Sequence, residues 1–244
     1  MIKKLLRRGL PVLALAALPL LASAVPAAAN VPAPSIQSVA REVPDAAGAS
    51  AVRAPVLLFE AIDRLPVAEE HRAGYRRDLY KHWNRGQNAG DGCDTRKEVI
   101  LAEAAVAPQV AAGCKLTGGS WRSAYDNLVV TDAARLDVDH FVPLAEVYDS
   151  EQMPWTAARR EAYANDQNSP DTLIAVSAAS NRSKADKDPA EWLPSDGTYH
   201  CTYAATWVAT KLRWDLAVDD AERQALLGLA EDCATTTVVY EPVP

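Results

Sequence analysis

The chain has 244 residues, with 25 Lys and Arg against 32 Asp and Glu, a formal charge of −7 and 49% hydrophobic residues. That acidic balance excludes a protein that holds nucleic acid through an overall basic field, so any polyanion would have to meet a local cationic patch. Beyond the N-terminus no segment approaches the roughly 20 apolar residues a spanning helix needs, so no stable membrane association is expected.

Lys3, Lys4, Arg7 and Arg8 precede an apolar run from Leu10 to Ala24. Small-residue sites follow at Ala22-Ser23-Ala24 and Ala27-Ala28-Ala29. This is the pattern of a secretory signal peptide, read over residues 1–29, and it makes the expected product secreted. Arg7-Arg8 also suits twin-arginine export, with the general secretory route favoured. Loss of residues 1–30 removes four basic residues and no acidic ones, leaving 21 against 32, a balance of −11. Residues 30–54 are rich in Ala, Pro, Val and Ser with few aromatics. Such a composition buries too little surface to offset ordering and predicts a flexible linker. Residues 55–238 are then about the size of one domain.

Within that domain, apolar spacing predicts helices over 55–63 and 69–83, the second with Tyr75, Leu79 and Trp83 four apart. Residues 84–94 form a Gly/Asn/Asp loop whose ligand spacing fails for a calcium loop, so it reads as a polar turn. A helical pattern resumes over 96–107. Residues 115–130 suit short strands or a hairpin, and 136–144 an apolar strand entering a turn at Pro143. Residues 156–165 look helical, 173–176 suit a second strand, and 177–187 open a helix with Ser180 as N-cap. Helices are expected again over 203–212 and 219–229. The fold class is α+β, mainly helical with a small strand pair near the middle.

Cys93, Cys114, Cys201 and Cys233 are an even number in an exported chain and lack the close spacing of a zinc site, which favours disulfides. Three pairings are open. Cys93 with Cys114 and Cys201 with Cys233 are preferred because each pair brackets one coherent segment.

The chemistry concentrates in Asp139-His140 and in Asn181-Arg182-Ser183-Lys184. Hydrolysis of a phosphodiester needs a base to activate water and positive charge to offset the phosphate. His140 supplies an imidazole that can be neutral at neutral pH. Asp139 and Asn181 supply two oxygen ligands for a hard divalent cation, Mg²⁺ first, with Mn²⁺ or Ca²⁺ as alternatives. Arg182, Lys184 and Lys187 offer a local grip on phosphate, although Asp186 and Asp188 interleave them and a solvated helix face is nearly as good a reading. Asp137 reads equally as a further ligand or as a structural hydrogen-bonding group.

Taken together, Asp91-Gly92-Cys93-Asp94-Thr95-Arg96, Trp121 to Asp126, Asp137-Val138-Asp139-His140-Phe141-Val142-Pro143-Leu144, Asn165-Asp166, and Leu173 to Val176 leading into Asn181 to Pro189 carry a resemblance. Over about residues 58–233 the chain resembles secreted HNH endonucleases of the His-Me finger class, in particular those related to the GmrSD restriction-enzyme C-terminal domain. The resemblance implies a ββα-metal core with His140 as general base, Asp139 and Asn181 on one divalent metal, and a helix starting near Asn181. It implies nucleic acid, DNA first, as the partner, and products with a 5′-phosphate and a 3′-hydroxyl. The family's middle asparagine, which steadies the histidine loop, is replaced by Thr172 before Leu173. The orienting role therefore stays open among Thr172, Asn168 and Asn165. Arg96 has no role that physical argument assigns.

His71, His82 and His200 show no metal spacing with one another. A zinc hydrolase using His140, Asp139 and His200 ranks last. The six tryptophans are read as core rather than as base-stacking platforms. The rival to an enzyme is a noncatalytic secreted module that uses the same fold to bind a polyanion or wall polymer.

Overall fold

The computed structural model describes residues 54–170 and 172–244. The expected signal peptide and all of the expected linker but Ala54 lie outside the described residues. In chain order the elements are β1 (Val56–Leu57), α1 (Leu58–Ile62), α2 (Thr95–Ala102), β2 (Gln109–Ala111), β3 (Lys115–Thr117), β4 (Trp121–Arg122), β5 (Val129–Val130) and β6 (Leu136–His140). There follow α3 (Leu144–Ser150), α4 (Ala157–Ala164), β7 (Leu173–Ser177), α5 (Ala178–Lys184), α6 (His200–Trp214), α7 (Asp220–Glu231) and β8 (Thr237–Val238). The described part is thus α+β. Its sheets are antiparallel pairs: β1 with β8, β2 with β3, β4 with β5, and β6 with β7.

Helix starts follow side-chain chemistry. Asp94, Thr156 and Asp219 each accept a hydrogen bond from a backbone N–H three residues on, which satisfies a donor that the first turn leaves orphaned. α5 is capped by Ser177, whose hydroxyl accepts from Ser180 N–H, so the cap is three residues earlier than Ser180. The expected helix over 69–83 is absent; only a single 3₁₀ turn forms there, at Arg77–Leu79. Gly74 and Trp83 both take positive φ, +93° and +61°, which no continuous α-helix tolerates. In that stretch it is Tyr80, bonded through its hydroxyl to Glu151, that is fully buried.

β6 and β7 position the site. Their register runs from Leu136 opposite Ser177 to His140 opposite Leu173, and Phe141 N–H continues the ladder onto the Thr172 carbonyl. β7 passes into α5 without a loop, so a strand–strand–helix unit is closed by one serine serving as strand end and cap. Pro143, at the N-cap of α3, turns the chain directly after His140.

The main core is built on α6, with Tyr203, Trp207 and Trp214 buried against Tyr125, Phe141, Tyr163 and Leu226. A second cluster of Val99, Ile100, Trp121, Leu136, Val138 and Leu173 lies behind the strand pair, and Trp83 packs on it. Lys211, fully buried, ties α3, α6 and α7 together: its Nζ lies 2.8 Å from Glu146, 2.6 Å from Glu222 and 3.0 Å from Ser150. Burial, set against Lys211, leaves Glu222 raised to about 8, while for Glu146 burial is outweighed by Lys211 and the carboxyl lies below its ordinary range. Disulfides join Cys93 to Cys114 and Cys201 to Cys233. Past Val238 the chain stays attached, with Val243 N–H on the Arg213 carbonyl. No helix among the described residues is long and apolar enough to cross a membrane.

Candidate active site

Asp139 and His140 end β6, and Asn181 stands in the middle of α5, which packs across that strand. The three side chains line one cleft of about 320 Å³ together with Arg77, Val138, Pro143, Leu144, Arg182, Ala185 and Asp186. Arg77 went unnoticed in the sequence because nothing at 69–83 ties it to residues sixty positions away. It is exposed, as is Arg182, and the two guanidiniums give the cleft its positive charge.

Asp139 is buried, and its Oδ2 receives two donors: Lys184 Nζ at 2.7 Å and the Tyr125 hydroxyl at 2.7 Å. Burial pushes the Asp139 carboxyl up and Lys184 pulls it partly back; burial likewise pushes the Lys184 ammonium down. Lys184 also reaches the His140 carbonyl at 3.3 Å and lies 5.8 Å from the centre of the Trp207 ring. It is fully buried, so the expected phosphate contact from Lys184 is corrected: it faces the core beneath the site and serves Asp139. Its neighbour Arg182 is the exposed cation of the pair and leans on Asp137 at 3.5 Å.

Asn181 Nδ2 lies 3.3 Å from Asp137 Oδ2. A carboxylate only accepts, so this contact fixes the amide nitrogen toward Asp137 and leaves the carbonyl oxygen Oδ1 as the atom that could serve as a ligand. Asp137 is therefore an orienting group for Asn181.

His140 Nε2 sits 3.0 Å from the Ala164 carbonyl. Since a carbonyl cannot donate, Nε2 carries the proton and Nδ1 keeps its lone pair. Burial, opposed by the Ala164 bond and reinforced by His82, Arg77 and Lys184, pushes the imidazole down to about 3. The ring is near-parallel to Trp83 and Tyr163, at 5.3 Å and 6.1 Å between centroids.

The Thr172 carbonyl holds Phe141 N–H, next to His140, but the side-chain hydrogen bonds described for Thr172, Asn168 and Asn165 do not reach the imidazole. Thr172 Oγ1 donates to Asp166, Asn168 N–H bonds to Asp166 and its Oδ1 accepts from Gln87, and Asn165 bonds Lys81, Asn84 and Glu161. The partner of the imidazole is a backbone carbonyl instead. Two residues on, buried Asp166 accepts from Arg213, Trp214 and Thr172. A main-chain acceptor leaves no residue-type signature, which is why sequence reasoning looked for a side chain. Tyr125 had a signal only as part of the Trp121–Asp126 segment.

Among the described residues, the acidic or imidazole triplets close enough to share an ion are Glu70, Glu146 and Glu222, and Glu70, Asp188 and Asp219. Neither includes Asp139, and the first is already served by Lys211. The cleft itself offers two carboxylates, buried Asp139 and exposed Asp186, and the amide oxygen of Asn181. That hard, sparse donor set fits a cation that keeps several waters, as Mg²⁺ does.

Comparison with known proteins places this chain in a restriction-type nuclease family. The family described as GmrSD restriction endonucleases, C-terminal domain, matches residues 93–229. A relative from Arthroderma benhamiae, described as an uncharacterized secreted protein, is 38% identical over 160 residues, covering 66% of this chain and 76% of its own. No solved structure matches. The chain belongs to the GmrSD restriction endonuclease C-terminal domain family.

Proposed function

We propose that the protein is an exported, metal-dependent endonuclease of the HNH, or His-Me finger, type, with β6, β7 and α5 as its ββα-metal core. The layout is a signal peptide over 1–29, a linker over 30–54 and the nuclease domain over 55–238. The observation that carries the reading is the meeting of Asp139, His140 and Asn181 in one cleft flanked by Arg77 and Arg182.

Asp139, with Oδ2 committed to Lys184 and Tyr125, would hold a divalent cation through Oδ1, and Asn181 through its own Oδ1. When bound, the cation supplies Lewis-acid polarisation of the phosphoryl group and charge for the leaving oxygen. Arg182 and Arg77 grip the flanking phosphates. His140 Nδ1 takes a proton from water, the water oxygen attacks phosphorus, the P–O3′ bond breaks, and the departing 3′-oxygen takes up a proton from solvent. The Ala164 carbonyl stabilises the imidazolium by holding Nε2–H. The products carry a 5′-phosphate and a 3′-hydroxyl. DNA is the proposed substrate, Mg²⁺ the proposed ion and the extracellular space the proposed location.

The test is incubation of the protein with plasmid DNA and with RNA in Mg²⁺, Mn²⁺, Ca²⁺ or chelator, beside His140→Ala. Cleavage that needs the ion and falls about 10²–10⁴-fold in His140→Ala supports the reading. No cleavage under any ion overturns it in favour of a polyanion-binding module.

A further inference from the structure

A single side chain brackets the turn at 81–84. Asn165 Nδ2 donates to the Lys81 carbonyl at 2.8 Å and its Oδ1 accepts from Asn84 N–H at 2.9 Å. Asn84 is held again by Thr95, whose N–H reaches the Asn84 carbonyl at 3.0 Å and whose Oγ1 reaches the Asn84 side chain at 2.7 Å. Between these anchors Trp83 is forced to φ +61°, a left-handed backbone that a bulky aromatic adopts only where its surroundings over-determine it. What the strained turn delivers is an indole lying 5.3 Å from the His140 ring at an interplanar angle of 22°.

One hydrogen bond, from Nε2 to the Ala164 carbonyl, fixes where that nitrogen sits. By itself it does not set the plane of the ring, and a tilt of that plane would carry Nδ1 away from the water it must deprotonate. Face contacts set that plane, from Trp83 as the nearer ring and from Tyr163 at 6.1 Å and 25°.

We propose that Trp83 is a positioning residue for His140: the Asn165-bracketed turn presents the indole that sets the imidazole plane, while the Ala164 carbonyl sets its Nε2. The proposal rests on the nuclease reading of the cleft. It assigns Asn165 a role one step removed from the imidazole, through the turn that carries Trp83.

Two variants separate ring contact from bulk. Trp83→Leu keeps apolar volume and removes the ring, whereas Trp83→Phe keeps a ring. With the whole protein, Mg²⁺ and a fluorophore-labelled duplex DNA oligonucleotide, Trp83→Leu is expected to lose about 10²-fold in kcat at unchanged KM. Trp83→Phe is expected to regain most of that loss. A Trp83→Leu enzyme with wild-type kcat, or one whose loss is carried by KM alone, overturns the proposal. A second readout needs no turnover. The His140 imidazole C–H resonances should carry the ring-current displacement of the indole, lose it in Trp83→Leu and recover part of it in Trp83→Phe. Resonances that do not move in Trp83→Leu also overturn the proposal. If the wild-type protein cleaves nothing, the nuclease reading fails, and the resonances alone decide whether Trp83 sets the His140 ring.

Discussion

Removing Lys184 probes how the site is held up from below. Its ammonium is 0% exposed and lies 2.7 Å from an Asp139 carboxylate that is 8% exposed, so Lys184→Met leaves a carboxylate in the core with only the Tyr125 hydroxyl as recorded partner. Breaking a buried pair by deleting one member costs about 3–5 kcal/mol. The surviving Tyr125 bond places the expected loss near the lower end, about 3 kcal/mol, or a fall in Tm of about 6–12 °C for a domain of this size. The loss should depend on pH. Burial already raises the Asp139 carboxyl above 3.8, and without Lys184 it moves further up. A carboxyl whose folded value exceeds its unfolded one keeps its stability below the unfolded value and loses it as pH rises through the folded one. The deficit against wild type should therefore shrink on acidification toward 3.8 and grow toward neutrality. Urea unfolding in chelator at several pH values measures this. Asp139→Asn in the Lys184→Met background should recover much of the stability, because a neutral amide needs no counter-charge. A loss below about 1 kcal/mol, independent of pH, would refute the reasoning.

Other expectations follow from the same geometry. Glu222, raised from 4.5 to about 8 chiefly by burial, contributes stability that is present below 4.5 and lost as pH rises through about 8. Glu222→Gln should therefore gain on wild type between pH 5 and 9 in urea midpoints, and a constant difference would contradict this. Ala185, which ends α5 at φ +52° and ψ −126°, occupies a region that costs a residue with a Cβ about 1–3 kcal/mol. Ala185→Gly should raise Tm by about 2–4 °C, seen by calorimetry. Because His140 is pushed down to about 3, the cleavage rate should show no titration near 6.5 on the acid side. A plot of kcat/KM against pH checks this.

The parts legible in the sequence are those where residue type and spacing suffice. Four cysteines bracketing two segments indicate the pairing the structure adopts, and the apolar strand from Leu136 with the short apolar run at Leu173–Val176 marks the strand pair. Spacing misleads where backbone chirality decides: Tyr75, Leu79 and Trp83 are four apart, yet Gly74 and Trp83 turn left-handed between core contacts. α3 went unread because Glu146 and Asp149 look like surface residues, and both are buried against Lys211 and Arg72. Lys184 and Arg182 are two apart on one short helix, and sequence alone does not tell which of them faces the core. The tryptophans divide: Trp121, Trp207 and Trp214 are buried, while half-buried Trp83 lies on His140.

The proposed site requires the Asp139 carboxylate and the Asn181 amide to share one ion beside His140. Titration of Mn²⁺ into the protein, followed by electron paramagnetic resonance, tests this most directly. One ion per chain is expected in the wild type and in His140→Ala, with binding lost in Asn181→Ala. Equal binding by the wild type and Asn181→Ala would contradict it.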